Sequence, residues 1–347
     1  MTSKERVLQA INHRRVDRVP ANYQAHQEVT DSLKQYLGLA DTEELLQFLQ
    51  IDFRRIPAAY YLPETGPDSD GYYTSMWGLK YRKEKFSDGK PQVIYPFSEE
   101  SSLKDVEQHP WPKACSLDFS SSYTECLKYH ETFATYGAPW SPFFHEAGWL
   151  LGQENFFIWM HTRPELVKAC IEKMVDYEIE ATEKFLKACR GLVDITYFGN
   201  DFGTQRGLVI SPEKWQQFFR KPLKRFFDLS HDFGCKVMFH SCGSVRSILP
   251  FLLEDGVDIL EPVQTTASGM EFSSLVRDFP GLCFHGGVST QTTLPFGSSE
   301  DVRSEVQSLV RLTRGKTGYI ICGSQELIKD IPVGNILTMY EVNLRYY

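Results

Sequence analysis

The sequence lacks the features that mark membrane, secreted and nucleic-acid-binding proteins. No apolar run approaches the roughly 18 residues that a membrane-spanning helix needs, and residues 1–6 contain no apolar signal core. Lys and Arg do not form blocks, and 37 basic residues against 45 acidic ones give a net charge of −8, which disfavours binding to a phosphate backbone. We therefore expect a cytoplasmic protein that binds neither a membrane nor nucleic acid.

Paired cysteines and flexible linkers are also missing. The 8 cysteines are scattered without a CxxC pair, and a chain of 347 residues buries enough surface to need no disulfide framework. We expect free thiols, most of them small buried hydrophobes, with Cys242 and Cys322 as exceptions. Because no Gly/Ser-rich tract or short repeat divides the sequence, we expect residues 1–347 to form a single domain.

Short apolar runs alternate with longer amphipathic stretches along the chain. Helix start signals occur at Thr162, Ser211 and Ser299, and Pro212 directly follows Ser211. The candidate strands are residues 18–24, 52–58, 133–144, 194–201, 236–242, 258–264, 282–288 and 319–323. Eight strands that alternate with helices predict parallel βαβ units closed into an α/β fold of the (β/α)8 TIM barrel type.

One insertion departs from this alternation. Residues 81–95 are typical of two polar strands joined by an Asp88-Gly89 turn, so we predict a β-hairpin insertion at about residues 72–98. The hairpin either covers the barrel mouth or contributes to a dimer contact. A homodimer is therefore possible but not required.

The strongest chemical signal lies at predicted strand ends. The active site of a (β/α)8 barrel lies at the carboxyl ends of its strands, and the alternation of side chains places His240 and Cys242 on the same side of the fifth strand. Cys322 ends the eighth strand, and Glu261 or Gln264 ends the sixth. An imidazole and two thiolates near a carboxylate suit zinc. The alternative is a buried histidine beside two hydrophobic cysteines.

Other polar residues at strand ends are candidates for the same site. Asp201 could orient a substrate or act as an acid or base, or it could cap a helix and bind backbone amides. His285, beside two glycines, could act on the substrate or remain a core histidine. The candidates for substrate binding are Tyr23, His26, Glu154, Asn200 and Gln264. For Glu154 the alternative is a carboxylate that stabilises the start of its helix.

Several longer motifs resemble those of a known family. They are Arg6-Val-Leu-Gln-Ala-Ile-Asn-His13, Asp17-Arg-Val-Pro20, the run from Asn200 to Glu213, His240-Ser-Cys-Gly-Ser-Val245, His285-Gly-Gly-Val288, Leu294-Pro-Phe-Gly297 and the ending from Ile331 to Met339. The chain strongly resembles the uroporphyrinogen decarboxylase (URO-D) superfamily over essentially its whole length, which implies a (β/α)8 barrel.

Within that superfamily the chain resembles the zinc-dependent methyltransferases more than the true decarboxylases. The decarboxylases need no metal, and they have an arginine-rich first strand and an aspartate after the second. Here residues 20–27 contain no arginine, and Tyr60 aligns with that aspartate. The methyltransferase resemblance implies zinc held by His240, Cys242 and Cys322, with Glu261 as a labile fourth ligand. It also implies a corrinoid-carrying partner protein and a small thiol or similar acceptor.

Two alternatives remain open at this stage. One is metal-free decarboxylation of a tetrapyrrole or another carboxylated ring, with Asp201 as the acid. The other is a barrel that binds a corrinoid or tetrapyrrole without catalysis.

Overall fold

The computed structural model describes residues 1–84 and 89–345, which form a curled parallel sheet surrounded by helices. Its seven strands follow the order β1-β5-β6-β7-β8-β9-β10. They are Phe53–Arg55 (β1), Ala134–Tyr136 (β5), Ile195–Gly199 (β6), Lys236–His240 (β7), Ile259–Val263 (β8), Cys283–Val288 (β9) and Tyr319–Gly323 (β10). Neighbours in space are neighbours along the chain, as expected for repeated βαβ units.

The eighth position of the barrel is occupied by residues 20–26, which pair with their neighbours without forming a regular strand. On one side the Asn22 N–H donates to the Ile321 carbonyl at 3.0 Å, and on the other the Asp52 N–H donates to the Ala21 carbonyl at 2.9 Å. Pro20 has no N–H to offer, which shortens the ladder. The segment thereby joins β10 to β1, and the predicted TIM-like fold is confirmed.

Fifteen α-helices of the described chain cover the sheet and fill its connections. They are Ser3–Ile11 (α1), Gln27–Leu37 (α2), Thr42–Phe48 (α3), Leu103–Gln108 (α4), Ser120–Tyr129 (α5), Phe143–Leu151 (α6), Gln153–Thr162 (α7), Pro164–Cys189 (α8), Pro212–Trp215 (α9), Lys221–Asp232 (α10), Leu249–Asp255 (α11), Phe272–Asp278 (α12), Thr293–Phe296 (α13), Ser299–Thr313 (α14) and Val333–Arg345 (α15). No helix in the part of the chain described here has the length and apolar character needed to cross a membrane.

The predicted helix starts at Ser211 and Ser299 are confirmed by capping contacts. The Ser211 side chain accepts a hydrogen bond from the Lys214 N–H, with Pro212 as the first helical residue. Ser298 forms a capping box with Asp301 at the start of α14. The helix expected from Thr162 begins two residues later, at Pro164.

The strand predicted over residues 133–144 is much shorter in the structure. Only Ala134–Tyr136 pairs as a strand, and α6 already begins at Phe143. Pro139 and Pro142 interrupt the ladder, and Ser141 has a positive φ of 56°. The apolar run is continuous because strand and helix are both buried, so it gave no sign of the boundary.

The insertion forms a small antiparallel sheet of three strands rather than two. Its strands are Tyr73–Thr74 (β2), Lys80–Tyr81 (β3) and Val93–Ile94 (β4), with β3 between the other two. β3 and β4 pair with each other in antiparallel orientation, as the predicted hairpin requires. Asp88 of the predicted turn lies outside the described residues.

Candidate metal and substrate site

A cavity of about 330 Å³ opens at the carboxyl ends of the strands. Its lining residues come from both sides of the barrel mouth and are Gln24, Arg55, Trp140, Tyr197, His240, Gln325 and Glu326. This is the end at which (β/α)8 barrels carry their active sites. The volume suits a small molecule.

Three potential metal ligands converge beside this cavity. The ligand atoms of Asp201, His240 and Cys242 lie within 4.8 Å of one another. His240 Nε2 is 3.1 Å from Asp201 Oδ1 and 3.4 Å from Cys242 Sγ. One nitrogen, one sulfur and one oxygen form a donor set that zinc accepts, and three protein ligands leave a position open for an exchangeable one.

The loops after β6 and β7 hold these ligands together by direct backbone contact. The Cys242 N–H donates to Asp201 Oδ1 at 2.8 Å, and the Phe202 N–H donates to Ser241 Oγ at 3.0 Å. Gly243 has a φ of 79°, and a Cβ there would lie 2.6 Å from the Gly203 carbonyl carbon. Glycine is therefore required for the close approach of the two loops.

A second glycine makes room for the imidazole. Gly199 pairs with His240 across β6 and β7, and a Cβ on Gly199 would lie 2.4 Å from His240 Cβ. Any larger residue would displace the histidine from the cluster.

The charges of the cluster stabilise one another. Burial alone would lower the pKa of His240, but the negative charges of Glu261 and Asp201 outweigh it and raise the pKa well above its usual range. Burial would raise the pKa of Asp201, whereas the hydrogen bond and charge of His240 lower it overall. Burial raises the pKa of the Cys242 thiol, and His240 opposes that shift.

Glu261 lies behind His240 rather than in the ligand group. It pairs with His240 across β7 and β8, and its Oε2 is 2.5 Å from His240 Nδ1. The Tyr197 hydroxyl donates to the same oxygen at 3.0 Å. The predicted labile ligand is thus placed where it orients the imidazole and leaves Nε2 facing the cluster, an arrangement common around metal-binding histidines.

The structure does not bring Cys322 into the ligand group. Cys322 is fully buried within β10, and its thiol lies against the backbone of Gln24 and Gly323. Burial raises the pKa of this thiol to about 12, and within the described residues the thiol is not among the ligand atoms that lie within 4.8 Å of one another. The third potential ligand in the group is Asp201.

Asn200 and Gln264, predicted to bind substrate, are buried and bind backbone instead. Asn200 Oδ1 accepts from the Phe144 N–H at 2.7 Å and so fixes the start of α6. Gln264 Oε1 accepts from the Gly243 N–H at 2.7 Å. Both residues hold backbone segments next to the site in place, and neither lines the cavity.

His285 lies in the barrel interior and not at the cavity. It is fully buried, its Nε2 is 3.0 Å from Asn22 Nδ2, and its ring packs edge-on against Phe53. Burial lowers its pKa to about 4. The structure therefore favours a neutral core histidine over a catalytic one.

The remaining substrate candidates lie away from the cavity or at its edge. The Tyr23 hydroxyl is 2.9 Å from Thr30 Oγ1, beside α2. His26 Nε2 is 3.4 Å from a carboxylate oxygen of Glu326, which lines the cavity. Glu154 is exposed in the first turn of α7 and lines no part of the cavity. This position fits the alternative, a carboxylate that stabilises the start of its helix.

Several residues at the site were not predicted from the sequence. The Gln325 side-chain amide donates to Cys242 Sγ at 2.9 Å, and His145 Nε2 is 4.0 Å from Asp201 Oδ2. Gln325 follows the end of β10 by two residues, so the strand-end rule could have found it. His145 lies inside α6, directly after the apolar run of residues 133–144 that predicts a strand.

A family model for uroporphyrinogen decarboxylase (URO-D) matches residues 82–346. The chain therefore belongs to the URO-D family, as its motifs predicted. A curated relative, the methylated-thiol–coenzyme M methyltransferase of Methanosarcina mazei, is 27% identical over 115 residues. That match spans 33% of this chain and 29% of the relative.

A solved structure described as a methyltransferase from Methanosarcina mazei is similar over the full length. The TM-score is 0.69 with 16% sequence identity, and the match covers 100% of this chain and 99% of the other. At this identity the likeness establishes the fold.

Proposed function

We propose that this protein is a zinc-dependent methyltransferase that moves a methyl group between a corrinoid carried by a partner protein and a thiol or similar acceptor. The observation that carries the proposal is the convergence of Asp201, His240 and Cys242 beside the cavity. The name of the curated relative, a methyltransferase that acts on methylated thiols and coenzyme M, supports the same reaction class.

The donor set fits a catalytic metal better than a structural one. Structural zinc sites have four protein ligands, whereas three leave room for a substrate. Zinc, when bound, would lower the pKa of a coordinated thiol so that it reacts as a thiolate at neutral pH.

The other residues at the site orient the ligands and the acceptor. Glu261 and Tyr197 fix the His240 ring, and Gln325 contacts Cys242 from the opposite side of the mouth. A thiol that entered the cavity would displace Gln325 from the Cys242 thiolate at the cost of one hydrogen bond to a charged group, about 1.5–3 kcal/mol.

The charges in the cavity favour this reaction over decarboxylation of a tetrapyrrole. Within the described residues, Arg55 is the only lysine or arginine that lines this cavity. It could balance the charge of a small anionic acceptor. A ring that carries eight carboxylates would leave most of them unpaired, which is costly.

Substitution of the ligands tests the proposal. We expect Cys242→Ser and Asp201→Asn to lose both bound zinc and methyl transfer, because each removes one of three ligands. Cys322→Ser should keep its zinc, and Cys115→Ser, at an exposed free thiol, is the matched control. The measurements are elemental analysis and transfer from methylcobalamin to small thiols.

Two results would contradict this assignment. If Cys322→Ser loses its zinc and Asp201→Asn keeps it, the ligands are His240, Cys242 and Cys322. Absence of zinc from the reconstituted wild-type protein would remove the proposed mechanism and favour a metal-free reaction or simple binding.

A further inference from the structure

A second pocket, of about 540 Å³, lies between α6 and the small antiparallel sheet. Its main lining residues are Tyr61, Met76, Trp77, Glu146, Trp149 and Leu150. It shares no lining residue with the cavity beside the metal cluster, within the described residues. The pocket has the size of a small-molecule site and largely apolar walls.

A buried carboxylate forms part of this pocket. Glu146 on α6 is 1% exposed, and its Oε1 accepts a hydrogen bond from the Tyr61 hydroxyl at 2.6 Å. Its other oxygen, Oε2, has no hydrogen-bonding partner among the described residues. A buried acceptor that is left unsatisfied costs about 1–3 kcal/mol, and more when it is charged.

Glu178 on α8 adds a second carboxyl group next to the first. It is fully buried, and its polar neighbour is the Glu146 carboxyl group, with which no well-formed hydrogen bond exists among the described residues. The Trp77 indole N–H and the Tyr60 hydroxyl also make no well-formed hydrogen bond among the described residues, although Trp77 lies near Glu146 and Tyr60 near Tyr61. No lysine or arginine of residues 1–84 and 89–343 forms an ion pair with either carboxyl group.

The two carboxyl groups do not share the negative charge equally. Burial, followed by the charge of Glu146, raises the pKa of Glu178 well above its usual range. Burial also raises the pKa of Glu146, but Tyr61, Glu178 and Trp77 act against that shift. Glu146 is also the member that lines the pocket and accepts a hydrogen bond from the Tyr61 hydroxyl at 2.6 Å, so a cation in the pocket would stabilise its charged form.

A metal ion does not fit this pocket. Two carboxyl groups are present, and within the described residues the one group of three or more His, Cys, Asp and Glu ligands is the Asp201 cluster. Divalent cations need six or more oxygen ligands for Ca²⁺ and near-ideal octahedral geometry for Mg²⁺. The apolar and aromatic walls instead suit an organic group.

We propose that this pocket binds an organic cation, an ammonium ion that carries an apolar or aromatic group. Glu146 supplies the negative charge beneath the pocket. Trp77, Trp149 and Tyr61 supply aromatic surfaces that attract an ammonium ion through cation–π interactions. The remaining walls bury the apolar group of the ligand. This site goes beyond the proposed methyl transfer and does not depend on it.

Binding of benzylammonium to the whole protein tests the proposal without any metal or methyl donor. Benzyl alcohol has nearly the same shape and no charge, so isothermal titration calorimetry with both compounds isolates the contribution of charge. We expect benzylammonium to bind at least tenfold more tightly than benzyl alcohol. Equal affinity for the two compounds, or no binding of benzylammonium, would overturn the proposal.

Variants locate the binding in this pocket. Glu146→Gln should weaken benzylammonium binding at least tenfold. Glu165→Gln is the matched control, because Glu165 lies outside the pocket, is exposed and is paired with Lys168. We expect it to change the affinity less than twofold. An unchanged affinity in Glu146→Gln would overturn the assignment.

A second variant, Trp149→Ala, tests the proposal even if Glu146→Gln does not fold. Trp149 is 62% exposed, so Trp149→Ala removes an aromatic wall without disturbing the core. We expect benzylammonium binding to weaken about three- to fivefold and benzyl alcohol binding to change less. If Trp149→Ala binds benzylammonium as tightly as the wild type, the compound binds elsewhere and the proposal fails.

Discussion

The two ends of the barrel each bury a carboxylate, and the two carboxylates have opposite surroundings. At the amino end, Asp52 is fully buried and accepts hydrogen bonds from Arg6, Arg18 and the Ala21 N–H. At the carboxyl end, Glu261 is 1% exposed, and its partners are His240 and Tyr197. One carboxylate is neutralised by permanent cations and the other by a group that can titrate or bind a metal.

This difference separates stability from chemistry. Arginine stays charged at every physiological pH, so the network around Asp52 is fixed. The imidazole next to Glu261 presents its other nitrogen to Asp201 and Cys242, so the same kind of pairing there prepares a ligand. In (β/α)8 barrels, residues at the amino ends of the strands usually contribute to stability, and residues at the carboxyl ends contribute to catalysis.

Removal of Asp52 should have the largest effect on folding. Asp52→Ala leaves two buried or half-buried arginines without their shared partner, and we expect it to lower the free energy of unfolding by about 3–5 kcal/mol. Asp17→Asn is the control, because Asp17 also pairs with Arg6 but is 45% exposed, and it should cost about 1 kcal/mol or less. Urea denaturation measures both. An equal loss in the two variants would show that the buried pairing is not the main contribution.

Removal of the Glu261 charge should affect metal binding more than folding. Glu261→Gln keeps the size of the side chain but weakens its hold on His240 Nδ1, and we expect zinc affinity to fall about 10- to 100-fold. Competition with a chelator measures this affinity. Glu326→Gln, which changes a half-exposed carboxylate of the cavity lining, should leave it nearly unchanged. A complete loss of zinc in Glu261→Gln would instead indicate that Glu261 is a ligand.

His285, between the two ends, should make stability depend on pH. Its pKa is about 4 in the folded chain because of burial and about 6.5 when unfolded. The unfolded chain therefore binds the proton first, and stability falls as the pH falls from about 6.5 towards 4. Between pH 7 and pH 5 we expect wild type to lose about 2 kcal/mol more than His285→Gln. Identical losses in chemical denaturation would show that His285 does not titrate in this way.

The strand order could be predicted from the sequence, but several strand boundaries could not. Runs such as residues 194–201 and 236–242 stand between polar residues and correspond closely to β6 and β7. The run over 133–144 continues from β5 into α6, because both elements are buried on all sides. Apolar periodicity records burial and contains no signal for the change of backbone conformation.

The site could be predicted in part for a similar reason. His240 and Cys242 alternate on one strand, so their shared direction follows from strand geometry. The choice between Asp201 and Cys322 depends on how the loops after β6 and β10 fold. Cys322 remains within its strand, where the thiol packs against the backbone of Gln24, and that contact between distant segments has no local signature.

The closure of the barrel by residues 20–26 bears on how the cavity exchanges its contents. This segment is joined to β10 and β1 by a few backbone hydrogen bonds instead of a full ladder, so we expect the amide protons of Asn22 and Ile321 to exchange with solvent sooner than those of β7. Gln24 and Gln325 line the cavity on either side of this seam. If these few hydrogen bonds opened transiently, the mouth of the cavity would widen on one side, and a ligand too bulky for the closed mouth could enter.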